Sequence, residues 1–249
     1  MTQCWRLDDG QQTLVLAACA GRLPVCVYWG RPLPMAEDLT AVTRAHAIDL
    51  TGGMLDENPE ISLSPEVSRS FPGQPGLVLR DISGAPITPQ LMFEGQETGA
   101  QSLTLRYADA AAGVAVAFSF TSDLQTHVIT AQTRFAAARD DVWVEWRAAP
   151  VLPAPQRADD MIDFSGRWCG EFQPVRSPWT PGIRLRENRT GRSGHEHFPG
   201  LIIPARGTLN TQGEAYAFHY GWSGGHRMIA EELPDGRRQV QFGHAPAGR

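Results

Sequence analysis

The chain has 249 residues, of which 42% are hydrophobic and 20% are charged, and its formal net charge is −5. This composition is typical of a folded protein with a sizeable core, because disordered chains are poorer in hydrophobic residues. The mildly acidic balance excludes the broad positive surface with which proteins bind nucleic acids or anionic membranes.

The cysteines and the amino terminus suggest no metal site, cofactor or export signal. The four cysteines (Cys4, Cys19, Cys26 and Cys169) lack the short paired spacings of zinc and redox sites, so no cofactor is expected. The first ten residues, MTQCWRLDDG, lack the basic and apolar regions of a signal peptide. No apolar run is long enough to span a bilayer. These features predict a cytoplasmic protein.

The first third of the chain contains a hairpin, a short helix and a long irregular segment. Residues 13–20 and 24–28 are short, β-rich runs around a glycine, which predicts a β-hairpin. Apolar residues recur at near-helical spacing in 37–50, which allows a short helix. Residues 52–76 have no periodicity, and loops of this length are usually functional or contact another element.

From residue 101 onward the pattern is that of β-strands. Strands are predicted over 102–107, 114–120, 126–136 and 142–147, in the consecutive order of an antiparallel sheet with one buried face. Residues 151–157 are rich in proline and alanine and predict a linker, and further strands are expected over 201–203, 214–222, 227–232 and 237–242. The predicted fold class is all-β, a large antiparallel β-sandwich in a single domain over 1–249, with long loops and one short helix.

Residues 164–199 lie between these two strand regions and carry little simple alternation. The segment is rich in aromatic side chains, arginines and carboxylates. It predicts a surface carried by loops, suited to a polar, ring-shaped ligand or to a partner. Buried pairs of arginine and glutamate that hold long loops in place are the alternative.

Three groups of residues are candidates for a binding or catalytic site. His195 and His197 would share one face of a strand, which allows a metal site, but the spacing lacks the helical pattern of zinc proteases and favours a loop anchor. The turn 222–226 contains two glycines between Trp222 and His226, and a tryptophan exposed there would suit the apolar face of a sugar. A core tryptophan beside a hairpin turn is the competing interpretation. The carboxylates of the long irregular segment, Asp56 among them, have no spacing that identifies an acid and a nucleophile.

A series of short motifs resembles one known family. In the segment 164–199 the motif residues are Gly166, Arg167, Trp168, Glu171, Pro178, Gly182, Glu187, Arg189, Gly191, Ser193, His195 and Pro199. An earlier set comprises Ser62, Leu63, Ser64, Pro65, Glu66, Gly73 and Gly76, and a later one Gly213, Glu214, Tyr216, Trp222, Ser223 and Gly224. In this order they are similar to the amino-terminal domain of glycoside hydrolase family 36, the bacterial α-galactosidases. Gly225 departs from the pattern, because the family commonly has asparagine there.

The resemblance implies a β-supersandwich of the galactose mutarotase type, placed ahead of a catalytic (β/α)₈ barrel and a small C-terminal β domain. Family members retain the anomeric configuration and use two aspartates of the barrel. The resemblance therefore implies a non-catalytic domain, truncated near its last strands and without the barrel, that is inactive alone. In the whole enzyme it would shape the pocket for substrates such as raffinose and melibiose and contribute to a tetramer.

The candidate substrate-binding residues implied for this domain are Asp56, Trp222 and His226. Trp222 would stack on a sugar ring, and Asp56 would accept hydrogen bonds from hydroxyl groups. Two other functions stay open at this point. A mutarotase-like sugar epimerase would need a histidine and a carboxylate in one cleft, for which His195, His197 or His226 with Glu171 or Glu214 are candidates. A carbohydrate-binding or assembly module would need no chemistry.

Overall fold

The protein is described here from a computed structural model, which describes residues 2–47, 59–139, 142–192 and 194–245. The chain forms two compact units, Met1–Val144 and Glu145–Arg249. Both are built from antiparallel strands, which confirms the predicted all-β class. The single-domain interpretation stays a prediction. None of the described helices is long and apolar enough to cross a membrane.

The first unit contains three groups of strands and a short helix. Its first sheet has the order β1-β2-β3 (Thr2–Asp8, Thr13–Cys19 and Val25–Gly30). β4 (Leu77–Asp81) pairs with the short β5 (Pro86–Ile87). The third group is a meander of β6 (Met92–Thr98), β7 (Ser102–Asp109), β8 (Val114–Ser122) and β9 (Ile129–Ala137). β10 (Val142–Arg147) contains the boundary between the units.

The predicted elements of this unit form for the reasons that their patterns indicate. The alternating apolar side chains of β7, Leu103, Leu105 and Tyr107, are all buried. The predicted helix is α1 (Leu39–His46), shorter than its periodic window, and Asp38 caps it by accepting hydrogen bonds from the N–H groups of Thr40 and Ala41. The described part of the irregular segment includes a 3₁₀ turn, Val67–Arg69, and an isolated bridge between Ser62 and Val25 of β3.

The second unit is a sandwich of two four-stranded sheets. One has the order β11-β18-β17-β14, from Leu152–Pro153, Arg238–His244, His226–Glu232 and Gly182–Asn188. The other has the order β13-β12-β15-β16, from Gly170–Pro178, Asp160–Arg167, Gly200–Pro204 and Ala215–His219. Their inner faces share one core, which includes Met161, Leu201 and Ile203 from the second sheet and Met228, Ala230, Val240 and Phe242 from the first.

The prediction that residues 164–199 form loops is wrong, because most of the segment belongs to strands β12, β13 and β14. β13 is an edge strand whose residues are mostly exposed on both faces, so it carries no alternation. In β14 the usual burial pattern is reversed. Arg184 and Arg186 point inward to Asp163 of β12, while the apolar side chains of Ile183 and Leu185 are about half exposed. Neither strand could be recognised from a pattern of buried apolar and exposed polar residues.

Candidate functional site

Three strands of the first sheet of the sandwich have an end at the same end of the sheet. β14 ends at Asn188, β17 begins at the paired His226, and β18 ends at His244, which pairs with His226 from the other side. From the second sheet, Tyr220 follows β16, and its ring contacts the His244 ring edge to face at 5.9 Å. We call the group Tyr220, Trp222 and His244 the aromatic rim.

Trp222, which is 46% exposed, is the tryptophan of the aromatic rim. Its ring meets His244 edge to face, with 4.5 Å between centroids and an angle of 89°. The indole lies directly over Gly224, where an added Cβ would approach the indole Nε1 to 2.5 Å. A Cβ on Gly225 would approach the Asn188 carbonyl oxygen to 3.0 Å. Gly224 is therefore needed for this packing, whereas the space at Gly225 is tight but less restrictive, and the result is a partly exposed indole face supported by the turn.

His226, the third residue predicted to bind substrate, lies at the foot of the turn and is only 1% exposed. Burial lowers the pKa of its imidazole, and the charge of His197 reinforces this shift. The ring is therefore neutral at pH 7. It supports the turn from inside the sandwich, and its direct contact with a sugar stays a prediction. Asp56 lies outside the described residues.

Glu187 and Arg227 pair with each other one position along from the Asn188–His226 pair, so they lie on the opposite face of the sheet from His226 and His244. Burial alone would raise the pKa of Glu187, but the Arg189 and Arg227 guanidinium groups outweigh it and hold that pKa below its usual value. Their Nη2 atoms lie 2.9 Å and 3.1 Å from the Glu187 carboxylate. At His244, burial and then the charge of Arg147 lower the pKa. At the rim itself, the neutral imidazole of His244 beside the exposed indole of Trp222 can recognise a hydroxyl group next to an apolar ring face.

The structure brings together His195 and Glu171, which the sequence offered among several candidate acid–base pairs, and adds Trp168, which the sequence did not associate with them. Trp168, at the β12–β13 turn, meets the His195 ring edge to face at 5.7 Å. The His195 Nδ1 atom lies 3.7 Å from a carboxylate oxygen of Glu171. The only signal for Trp168 in the sequence was its membership of the motif series. Among the described residues, no group of three or more His, Cys, Asp or Glu side chains is arranged to hold a metal ion.

The carboxylate of Glu66, in the first unit, lines a cavity of about 370 Å³ together with Arg22 and Arg69. Burial raises the pKa of Glu66 against the opposing effects of its partners. Those partners are the Leu91 N–H group, at 2.8 Å, and the Arg69 Nε atom, at 3.1 Å. Because both carboxylate oxygens are engaged in holding the chain, Glu66 is a structural anchor within this unit.

Comparison with known proteins gives a consistent family. Residues 22–248 match the Glycosyl hydrolase family 36 N-terminal domain. An α-galactosidase of Escherichia coli is 33% identical over 217 residues, which cover 86% of this chain and 30% of that protein. The α-galactosidase AgaA of Geobacillus stearothermophilus is 28% identical over 179 residues, which cover 72% of this chain and 23% of that protein.

Solved structures show the same fold. A crystal structure of an AgaA variant in complex with 1-deoxygalactonojirimycin superimposes with a TM-score of 0.86 at 20% identity, covering 98% of this chain and 37% of that chain. Another AgaA variant, in complex with raffinose, gives a TM-score of 0.85 at 21% identity, with the same coverage. The chain spans less than a third of the length of its curated relatives. With a match over nearly all its residues, this chain belongs to the Glycosyl hydrolase family 36 N-terminal domain family.

Proposed function

We propose that the chain is the non-catalytic N-terminal domain of a retaining α-galactosidase that removes terminal α-galactosyl residues from oligosaccharides such as raffinose and melibiose. The family match over residues 22–248 carries this proposal. The named relatives, of which this chain spans the lesser part, are α-galactosidases. In this proposal the domain packs against a catalytic barrel of its own enzyme, shapes the active-site pocket and takes part in a homo-oligomer.

Within that role we assign substrate contacts to the aromatic rim and to Asp56. The supporting observation is the indole of Trp222, which is partly exposed and fixed against His244 and Gly224. The indole face would stack on a sugar or aglycone ring, and the Asp56 carboxylate would accept hydrogen bonds from its hydroxyl groups. His226, whose side chain is buried, would contribute by supporting the turn that carries Trp222.

A chimera tests the proposal. The corresponding domain of the E. coli relative, which is 33% identical, is replaced by this chain, and hydrolysis of melibiose and raffinose is measured. We expect an active chimera and an inactive deletion of the domain. In the chimera, Trp222→Ala should raise KM about two- to tenfold, because an aromatic contact contributes about 0.5–1.5 kcal/mol. Trp143→Ala, at an exposed tryptophan of the other unit, is the matched control and should leave KM unchanged.

Two results would contradict this assignment. A folded chimera without activity would argue against the role as an α-galactosidase domain. An active chimera whose KM responds equally to Trp222→Ala and Trp143→Ala would keep the domain role and remove Trp222 from the pocket.

A sugar epimerase is the second candidate, since the structure brings one histidine and one of the candidate carboxylates together. The His195 and Glu171 side chains are 48% and 44% exposed, however, whereas acid–base catalysis of this kind uses a substrate held between the two groups. Polarimetry of freshly dissolved α-galactose distinguishes the candidates. The accessory-domain proposal expects the same rate of rotation change with and without the 249-residue protein.

A further inference from the structure

The β12–β13 turn presents its tryptophan on a backbone that is unusually constrained. Gly166 lies at an irregularity in the pairing of β12 with β13, and a Cβ there would approach the Gly170 carbonyl oxygen to 2.5 Å. Cys169 and Phe172 both adopt left-handed backbone conformations, with φ angles of 60° and 57°. Such angles are unfavourable for a bulky residue such as phenylalanine and cluster at functional sites. Irregularities in strand pairing commonly redirect a side chain.

The constrained turn directs apolar rings into solvent. Trp168 is 75% exposed and Phe172 is 56% exposed. Phe172 stacks on Phe164, with 4.4 Å between centroids and an angle of 17°, and contacts Phe198 edge to face at 4.9 Å. These contacts fix one side of the Phe172 ring. Local packing thus holds the rings in place without covering them.

Polar groups that suit hydroxyl recognition lie beside the exposed indole. Glu171 accepts a hydrogen bond from the Cys169 N–H at 3.0 Å through Oε1, the oxygen that lies nearest to His195. The pKa of the Glu171 carboxylate lies below its usual value. The causes are hydrogen bonds from the backbone N–H groups of Glu171 itself and of Cys169, and then the charge of His195. The turn therefore has a permanent acceptor and an imidazole at the edge of an aromatic face.

We propose that Trp168, Glu171 and His195 form a second carbohydrate-binding site, separate from the aromatic rim, for a pyranose ring of a neutral oligosaccharide. The apolar face of the sugar stacks on Trp168. The Glu171 carboxylate accepts hydrogen bonds from its hydroxyl groups, and the His195 imidazole donates or accepts one more. The site holds substrate to the domain without taking part in bond cleavage.

A sugar fits these observations better than a protein partner does. The apolar surface of the turn comes from two rings with a carboxylate and an imidazole directly beside them. A stable protein interface buries about 800 Å² on each partner around a core that is poor in charged groups. One aromatic face with a few polar groups at its edge is instead the size of a single sugar ring.

The test uses the 249-residue protein labelled with ¹⁵N. Stachyose or melibiose is added stepwise, and the indole N–H resonances are followed by NMR. Trp168→Phe and Trp222→Phe identify the two signals. We expect the Trp168 resonance to shift with a millimolar Kd, and to do so equally in Trp222→Phe. Glu171→Gln and His195→Ala should weaken this Kd at least threefold. Glu97→Gln, at an exposed carboxylate on β6 of the first unit, is the matched control and should leave it unchanged.

The outcomes separate this site from the proposed function. A shift of the Trp222 resonance alone overturns the second site and leaves the rim assignment intact. Absence of any shift also overturns the second site, whereas the activity of the chimera decides the domain role independently. A Trp168 resonance that responds to protein concentration instead of sugar would identify a self-association surface and overturn the proposal. Thermal midpoints of all variants confirm that each one is folded.

Discussion

Trp222 keeps its orientation because its indole lies on a backbone position that has no Cβ atom. The sequence allowed a tight turn at the two glycines and left open whether the tryptophan was exposed or in the core. The structure gives a different reason for Gly224: the indole itself occupies the space of a side chain there. A contact of this kind depends on the side-chain direction of a residue two positions earlier, which no local pattern reveals.

Gly224→Ala should therefore move the Trp222 ring. The added methyl group would meet the indole Nε1 at 2.5 Å, so the ring or the turn has to shift. We expect a loss of about 1–3 kcal/mol in the free energy of unfolding, as for other overpacked sites, and a change in tryptophan emission. Urea unfolding and fluorescence spectra measure both quantities.

Gly221→Ala is the matched control, since a Cβ at that position meets nothing within 4 Å. It should change the free energy of unfolding by less than about 0.5 kcal/mol. Equal effects of the two substitutions would show that the backbone of the turn, and not contact with the indole, requires glycine.

Among the elements of the fold, some strands can be predicted from the sequence and others cannot. β7 and β8 bury every second residue, so their alternation predicted them correctly. β12 and β14, in contrast, are joined by buried polar contacts. One oxygen of Asp163 accepts hydrogen bonds from Arg184, through Nε and Nη2 at 3.0 Å and 2.8 Å, and from the Arg186 Nε atom at 3.0 Å. Those partners are more than twenty residues away in sequence, and only the fold identifies them.

Asp163→Asn tests this polar clamp between β12 and β14. The Asp163 side chain is 3% exposed and binds two guanidinium groups, so neutralising it leaves two positive charges facing each other. We expect a loss of about 1–3 kcal/mol in the free energy of unfolding, because each arginine is partly exposed and regains some hydration. Urea unfolding followed by circular dichroism gives the value.

Asp160→Asn is the control on the same strand. Asp160 pairs with Arg176 at a more exposed position, where an ion pair contributes about 0–1 kcal/mol. If both variants lose the same free energy, the clamp contributes no more than a surface ion pair, and β14 depends on other contacts.

For the molecule as a whole, most of the described carboxylates with shifted pKa values respond to acid in the same way. Partly buried carboxylates with lowered pKa values include Asp8, Asp9, Asp235 and Glu187, where hydrogen bonds or cationic partners outweigh the effect of burial. A lowered pKa of this kind stabilises the fold above the normal carboxylate pKa, and this stabilisation is lost as the pH falls through the folded value. Glu66 opposes the trend, because burial raises its pKa.

The buried His226 should add an earlier step. The pKa of His226 is lowered from 6.5, first by burial, so protonation favours the unfolded chain as the pH falls below 6.5. We therefore expect the thermal midpoint to begin falling between pH 6.5 and 5 and to fall again below pH 4.5. His226→Gln should reduce the fall of the thermal midpoint between pH 6.5 and 5 and leave the fall below pH 4.5. The control is His46→Gln, at an exposed position near the end of α1, which should change neither fall. Scanning calorimetry across this range checks the prediction, and a wild-type midpoint that is constant from pH 6.5 to 5 would contradict it.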